Sequence, residues 1–262
     1  MKRVLIFDSG VGGLSIYQEI YSQLPQVQYV YAFDDAAFPY GELSEQELIS
    51  RTVHIVTLLT ERHQIDLVVI ACNTASTIVL PTLRHSLSIP VVGVVPAIKP
   101  AALNSQRKVI GLLATPATVK RQYIDTLISQ FASDCEVLRI GSTRLVEIAE
   151  EKLRGLPVST LELKDILSPW KDQVDNIILG CTHFPLIKKE ILVALGGGVD
   201  VVDSGKAVAN RVKALLGNIE DCHVPIVNLT YNSAAVECSA ALNVSFAKLK
   251  LNTIQSLHFP RS

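Results

Sequence analysis

The chain has 262 residues, 48% of them hydrophobic and only 6% aromatic, which is room for one large α/β unit or two smaller ones and a composition that suits buried parallel strands better than a sandwich. A net charge of −1 and a pI near 6.6 exclude the basic footprint of a nucleic-acid or anionic-membrane binder. Five cysteines with no CxxC pair argue against a disulfide framework, and no apolar run has the length of a signal or spanning segment, so reduced thiols in the cytoplasm are expected.

Val4 to Phe7 predicts a first strand, Asp8-Ser9-Gly10-Val11-Gly12-Gly13 a turn, and Leu14 to Leu24 a helix with Leu14, Ile16, Tyr17, Ile20 and Tyr21 at helical spacing. Val27 to Phe33 predicts a second strand. Ser44-Glu45-Gln46-Glu47 has capping-box spacing and opens a helix through Arg62. A strand over 67–72, a helix over 74–87 and a strand over 91–95 follow, and the chain pauses near Pro96 to Pro100. Val109 to Leu113 begins a second set, in which Ser142 to Leu153 is a helix with Leu145, Ile148 and Ala149 on one face. A helix follows His183, then a strand over 199–202, a helix over 204–216, a strand over 226–230 and a helix over 234–242. This alternation predicts an α/β fold of two similar, pseudo-symmetric domains with mainly parallel sheets flanked by helices. The first domain is expected over 1–96 plus 207–262, with the tail returning to complete it, and the second over 97–206.

Two segments repeat one pattern. DLVVIACNTAST at 66–77 and DNIILGCTHFPL at 175–186 each begin with Asp, climb through aliphatic residues and end on a cysteine where a helix should start. Upstream, RVLIFDSGVGG at 3–13 and KVIGLLATPAT at 108–118 echo each other at almost the same offset. Duplication puts a thiol at an equivalent point in each half, and two thiols opposed across a cleft suit moving a proton from one side of a carbon to the other. Ligands of open α/β sheets bind beyond the carboxyl ends of the strands, so Asp8-Ser9, Cys72-Asn73-Thr74, Thr115 and Cys181-Thr182-His183 should converge. A helix N-terminus favours the thiolate, and each cysteine has a polar escort, His183 for Cys181 and Asp8 for Cys72.

Blander readings stand beside this one. A cysteine ending an apolar strand is commonly a small buried hydrophobe, the class in which Cys135, Cys222 and Cys238 fall. Cys181-x-His183 with Cys72 also has zinc-ligand chemistry, although structural zinc normally uses closely spaced ligand pairs. Gly10-Val11-Gly12-Gly13 invites a dinucleotide reading, but Ser15 stands where GxGxxG requires glycine; the loop can still offer N–H groups to a carboxylate. Val202-Asp203-Ser204-Gly205 reads as a helix cap, and Pro39-Tyr40-Gly41 as a rigid turn lining the cleft.

DSGVGG, PYG at 39–41, ACNTAS at 71–76, ATPAT at 114–118, GCTHFPL at 180–186 and VDSG at 202–205 closely resemble glutamate racemase, in order over nearly the whole chain. The resemblance implies two similar α/β domains with the active site in the interdomain cleft, and cofactor-independent interconversion of L- and D-glutamate for peptidoglycan synthesis. It implies a two-base mechanism in which Cys181, helped by His183, works on L-glutamate and Cys72, near Asp8, works on D-glutamate. Ser9, Asn73, Thr74 and Thr182 resemble residues that hold the α-amino and α-carboxylate groups, and Pro39, Tyr40 and Gly41 those near the side-chain carboxylate; Thr115 and Thr118 fall in the matching second-domain loop. In GSTRLVEIAEEKL, Glu150 aligns with a family glutamate near the site, and Glu147 occupies a position where many members have proline. That variant resembles the enterobacterial type, some of which a muramyl-alanine nucleotide precursor activates; the N-terminal extension usual there is expected to be absent, which leaves activation open. A homodimer is implied, with no metal, no nucleic acid and no membrane partner. Some members also inhibit DNA gyrase, a role the residues neither support nor oppose. The nearest alternative is aspartate racemase, whose second cysteine is usually followed by Thr-Glu where this chain has Thr182-His183. A silent amino-acid-binding protein and a thiol redox enzyme are the alternatives from other classes.

Overall fold

The computed structural model describes residues 1–219, 225–234 and 240–257, so Cys222 and Cys238 lie outside the described residues. The chain divides into two units, residues 1–94 with 205–262, and residues 95–204.

In the first unit, β1 (Arg3–Asp8), α1 (Leu14–Gln23), β2 (Gln28–Phe33), α2 (Glu45–His63), β3 (Leu67–Ile70), α3 (Asn73–Ser86) and β4 (Val91–Gly93) alternate as the apolar periods require. The second unit contributes α4 (Ile98–Asn104), β5 (Val109–Ala114), α5 (Pro116–Val119), α6 (Gln122–Phe131), β6 (Glu136–Gly141), α7 (Arg144–Leu153), α8 (Thr160–Leu167), β7 (Asn176–Leu179), α9 (Lys188–Leu195) and β8 (Asp200–Val202). The chain then re-enters the first unit with α10 (Gly205–Leu216), β9 (Leu229–Asn232), α11 (Ala240–Lys248) and β10 (Gln255–Ser256). None of the helices among the described residues is long and apolar enough to cross a membrane.

Both sheets are parallel. The first runs β10-β9-β2-β1-β3-β4 and the second β6-β5-β7-β8, so each contains the same four-strand order and the tail strands extend only the first. The repeat reaches individual hydrogen bonds: Ala71 N–H donates to Phe7 O at 2.7 Å, and Gly180 N–H to Leu113 O at 2.7 Å. Even the aspartates that open the two repeated segments do equivalent work. Asp66 accepts from Arg3 N at 2.8 Å, and Asp175 from Gln106 N and Arg107 N at 2.7 and 2.8 Å, each tying the entry of the central strand to its neighbour. Helices cover both faces, so Val4 to Phe7 and Leu67 to Ile70 are fully buried, each such aliphatic side chain contributing about 1.5–3 kcal/mol.

Local signals behave as physics requires. Ser44 Oγ accepts Glu47 N–H at 3.2 Å and starts α2, and Ser142 Oγ accepts Leu145 N–H at 3.2 Å ahead of α7. Two expectations are corrected. The helix of the tail covers Ala240–Lys248 where the sequence pattern suggests 234–242, residues 235–239 lying outside the described ones. Its AALNVSFAK run is apolar on several sides and gives no sharp phase from which to set a boundary. The segment after Cys181 is a 3₁₀ turn over Phe184–Ile187, with α9 starting only at Lys188. An α-helical bond to the Cys181 carbonyl would need the N–H of residue 185, which is proline; Phe184 N–H takes that carbonyl at 3.1 Å, closing the tighter turn.

Gly111 on β5 lies directly under the ring of Trp170, where an added Cβ would sit 3.1 Å from Cη2 and Cζ3. Gly111→Ala is therefore expected to cost about 1–3 kcal/mol by overpacking and to shift the emission of Trp170, the chain's single tryptophan, in urea unfolding followed by fluorescence.

Candidate active site

The residues singled out in the first unit collect at the carboxyl ends of β1, β2 and β3. Asp8 ends β1 fully buried; its Oδ1 accepts Ser9 N–H at 2.7 Å and its Oδ2 accepts Gly13 N–H in a very short contact. One N–H of the glycine-rich loop, that of Gly13, is thus taken by the chain's own carboxylate. Gly13 is required by close approach, since a Cβ there would meet Asp8 Cβ at 2.9 Å and Ala71 Cβ at 3.1 Å. Ser9 Oγ lies 3.5 Å from Asp8 Oδ1 and 3.6 Å from Cys72 Sγ, so the hydroxyl links carboxylate to thiol.

Cys72 is the N-cap of α3, its sulfur accepting Ala75 N–H at 3.4 Å. An oriented backbone N–H at a helix N-terminus favours the anionic form of sulfur. Asn73 and Thr74, next along the helix, are buried, and Asn73 Oδ1 has no hydrogen-bond partner in the structure. A buried acceptor left open costs about 1–3 kcal/mol, which a ligand N–H would recover. Ser76 braces the turn, donating to Ile70 O and accepting Val94 N–H, both at 3.0 Å.

Pro39, Tyr40 and Gly41 follow β2. The Tyr40 hydroxyl is directed inward, donating to Asp34 Oδ2 at 2.7 Å, and burial together with Asp34 holds its pKa well above 10, as a neutral donor. Arg51 grips the same carboxylate bidentately, Nε to Oδ2 and Nη2 to Oδ1, both at 2.8 Å. No local sequence pattern marks this Asp34–Arg51 pair as a support for the Pro39-Tyr40-Gly41 turn.

In the second unit, Thr115 and Thr118 lie beyond β5 and bond each other, Oγ1 to Oγ1 at 2.9 Å, with Thr115 capping α5 through Thr118 N–H at 3.3 Å. Cys181, Thr182 and His183 follow β7, all buried. Gly180 just before them leaves no room for a side chain, its Cβ position being 3.1 Å from both Ala114 Cβ and Leu112 Cδ1. Cys181 Sγ is 3.7 Å from His183 Nδ1, and His183 Nε2 is 2.9 Å from Glu150 Oε1 on α7. Burial opposes charging of this imidazole, but its hydrogen bonds to Cys181 and Glu150 and the negative charge of both prevail and hold its pKa well above 6.5. Cys181, His183 and Glu150 form a line along which a thiol proton can reside on sulfur or nitrogen. The two cysteines are therefore supported differently, one by a helix cap and a serine hydroxyl, the other by an imidazole and a carboxylate.

Because the folded pKa of His183 is raised above 6.5, its charging contributes stability that is complete below about pH 6.5 and is lost as pH rises through the higher folded value. Glu150→Gln removes one of the two anions, so the His183 imidazole is expected to titrate closer to 6.5 and the pH-dependent stability to shrink. Imidazole NMR titration and urea midpoints across pH measure both; an unchanged titration would contradict the ion pair.

The first unit also has a groove of about 540 Å³, lined by Arg84 of α3, residues 89–93, and Arg211 and Leu215 of α10. Among the described residues, two guanidinium groups and no carboxylate line it.

Residues 5–212 match the Asp/Glu/Hydantoin racemase family model. The chain is 58% identical over 262 residues to the glutamate racemase of Aliivibrio salmonicida, covering 100% of this chain and 98% of that protein. Among solved structures, Escherichia coli glutamate racemase in complex with L-glutamate and the activator UDP-MurNAc-ala superposes with a TM-score of 0.93 at 47% identity, covering 98% of each chain. Francisella tularensis glutamate racemase in complex with D-glutamate superposes with a TM-score of 0.77 at 25% identity, covering 99% of this chain and 97% of that one.

Proposed function

The chain belongs to the Asp/Glu/hydantoin racemase family and racemises glutamate, and from that premise we propose that it does so with Cys72 and Cys181 as its two acid/base groups and without a cofactor. The observation that carries this is the pairing of equivalents. Two cysteines stand two residues beyond topologically matching strands, each with a polar group on its sulfur.

For L-glutamate, Cys181 as thiolate takes the α-proton and Cys72 as thiol gives its own proton to the opposite face. The product is D-glutamate, with Cys181 now a thiol and Cys72 a thiolate; the reverse reaction exchanges the roles. His183 holds or returns the proton of Cys181 through Nδ1, while Ser9 Oγ and the Ala75 N–H stabilise the anion at Cys72. Asn73 Oδ1 is suited to accept from the α-ammonium, and Ser9, Thr74 and Thr182 are assigned to the α-amino and α-carboxylate groups by the family resemblance. Asp8 acts through Ser9, and Pro39, Tyr40, Gly41, Thr115 and Thr118 shape the remaining contacts. The α-proton is far less acidic than a thiol, so these preorganised donors must stabilise carbanion-like charge in a site closed to water.

The reaction feeds D-glutamate to peptidoglycan synthesis in this reading, and the reduced thiols of Cys72, Cys135 and Cys181 suit a reducing cytoplasm. Homodimer assembly is carried by the family resemblance alone. A polarimetric assay with L-glutamate, D-glutamate and L-aspartate, without added cofactor, tests the substrate and cofactor parts: glutamate racemises in both directions, and a requirement for pyridoxal phosphate would overturn the mechanism.

The groove at Arg84 and Arg211 favours a second element. The E. coli relative is solved with UDP-MurNAc-ala, which carries a pyrophosphate, and paired arginines are the usual partners of that group. We infer that this enzyme too takes a muramyl-alanine nucleotide as activator, bound at these arginines. Arg84→Ala with Arg211→Ala is expected to raise the half-activating concentration of UDP-MurNAc-ala at least about tenfold, roughly one lost phosphate contact; an unchanged value would sink the assignment.

A further inference from the structure

The line from Cys181 through His183 continues past Glu150. Arg154, one helical turn further along α7, brings Nη1 to 2.5 Å from Glu150 Oε2 and 3.3 Å from the Glu150 carbonyl oxygen. The two carboxylate oxygens are thereby divided, Oε1 on His183 and Oε2 on Arg154. We propose that Arg154 is a positioning residue for proton transfer at Cys181, fixing the Glu150 carboxylate so that its other oxygen, Oε1, orients His183 toward the sulfur. This rests on the reading of Cys181 as one of the two bases.

A Glu–Arg pair at i,i+4 is ordinarily a surface feature of small effect. Here the pair is asymmetric: the Glu150 side chain is 8% exposed and the Arg154 side chain 35%, so the arginine reaches inward from the rim to a buried anion. Several other charges on α7 and α9 are engaged elsewhere. Arg144 binds Glu147, Glu151 and Glu162, Lys152 binds Glu190 and the Leu186 carbonyl, and Lys188 faces Asp203. Losing Arg154 has two consequences for the relay. The Glu150 carboxylate gains rotational freedom, and its undivided charge holds the His183 imidazolium too firmly for the proton to return to sulfur.

Because the equilibrium constant of a racemisation is unity, kcat/KM changes by one factor in both directions, and isotope effects are needed to tell the thiols apart. Raising the barrier at Cys181 makes removal of the L-substrate's α-hydrogen more rate-limiting and removal of the D-substrate's less so. The experiment measures kcat/KM deuterium isotope effects with α-deuterated L- and D-glutamate for the native enzyme, Arg154→Met, Arg154→Lys, Cys72→Ser and Cys181→Ser. Arg154→Met is expected to lower kcat/KM about tenfold, a part of the usual acid–base contribution, with the L effect rising and the D effect falling as in Cys181→Ser, and Arg154→Lys to restore most of both. Isotope effects that stay at native values or move together in Arg154→Met overturn the proposal. If Cys72→Ser and Cys181→Ser themselves fail to skew the effects in opposite senses, the two-thiol reading has failed instead.

Discussion

Cys72→Ser and Cys181→Ser each lose about 10²–10⁴-fold in turnover, the range that a general acid or base contributes. Serine is close in size to cysteine, but its hydroxyl is a far weaker acid, so each variant keeps the fold while losing one proton carrier. Stability separates the two roles of Cys72. Its sulfur caps α3 by accepting Ala75 N–H, a task serine performs well, with caps contributing about 0.5–2 kcal/mol. Cys72→Ser is therefore expected to unfold at the same urea concentration as the native enzyme, or a higher one, while being nearly inactive. Polarimetry and urea midpoints on the same preparations check this; either serine variant within tenfold of native turnover would contradict a two-thiol mechanism.

Asp34→Ala is the largest expected loss of stability, about 3–5 kcal/mol, because it leaves the Arg51 guanidinium buried without its bidentate partner. The Tyr40 hydroxyl loses its acceptor in the same change. Asp34→Asn, which keeps an oxygen for Tyr40, loses less, and combining Asp34→Leu with Arg51→Met recovers much of the loss because no buried charge remains. Urea unfolding of the four proteins gives the comparison. A loss under about 1 kcal/mol for Asp34→Ala, the level of a surface pair, would show that the pair is hydrated and not structural. Since Tyr40 and Cys72 belong to the same buried cluster, the single variants are also expected to lower turnover.

How much of this was legible in the sequence depends on whether a feature is local. The strands at Val4 to Phe7 and 67–70 are continuous apolar runs, and the two cysteines stand out because the same string recurs at 66–77 and 175–186. His183 was visible two residues from Cys181, and Glu150 through its alignment with a family glutamate. Arg154 was not, since Glu-x-x-x-Arg on a helix is an ordinary surface pattern and only burial of the glutamate distinguishes this one. Asp34 and Arg51 stand 17 residues apart on different elements, and nothing local signals that two charges will be buried together. The loop at Asp8 conceals one contact for another reason. Glycine-rich turns after a strand are known as cradles for bound anions, and composition does not reveal that the Gly13 N–H is taken by the chain's own Asp8 side chain. Pro185 carried a readable signal for the 3₁₀ turn after Cys181, as proline's missing N–H falls at the bond an α-helix would need.

The most direct test of the central claim is the fate of the α-hydrogen when the enzyme converts L-glutamate in D2O, followed by proton NMR on separated enantiomers early in the reaction. With Cys181 removing protium and Cys72 delivering a solvent-equilibrated deuteron, the D-glutamate formed carries deuterium at Cα while the remaining L-glutamate keeps its protium. The mirror result holds when D-glutamate is the substrate. Product that retains the substrate's protium, or deuterium entering unreacted substrate as fast as product, would mean that one group serves both faces and would contradict the two-thiol account.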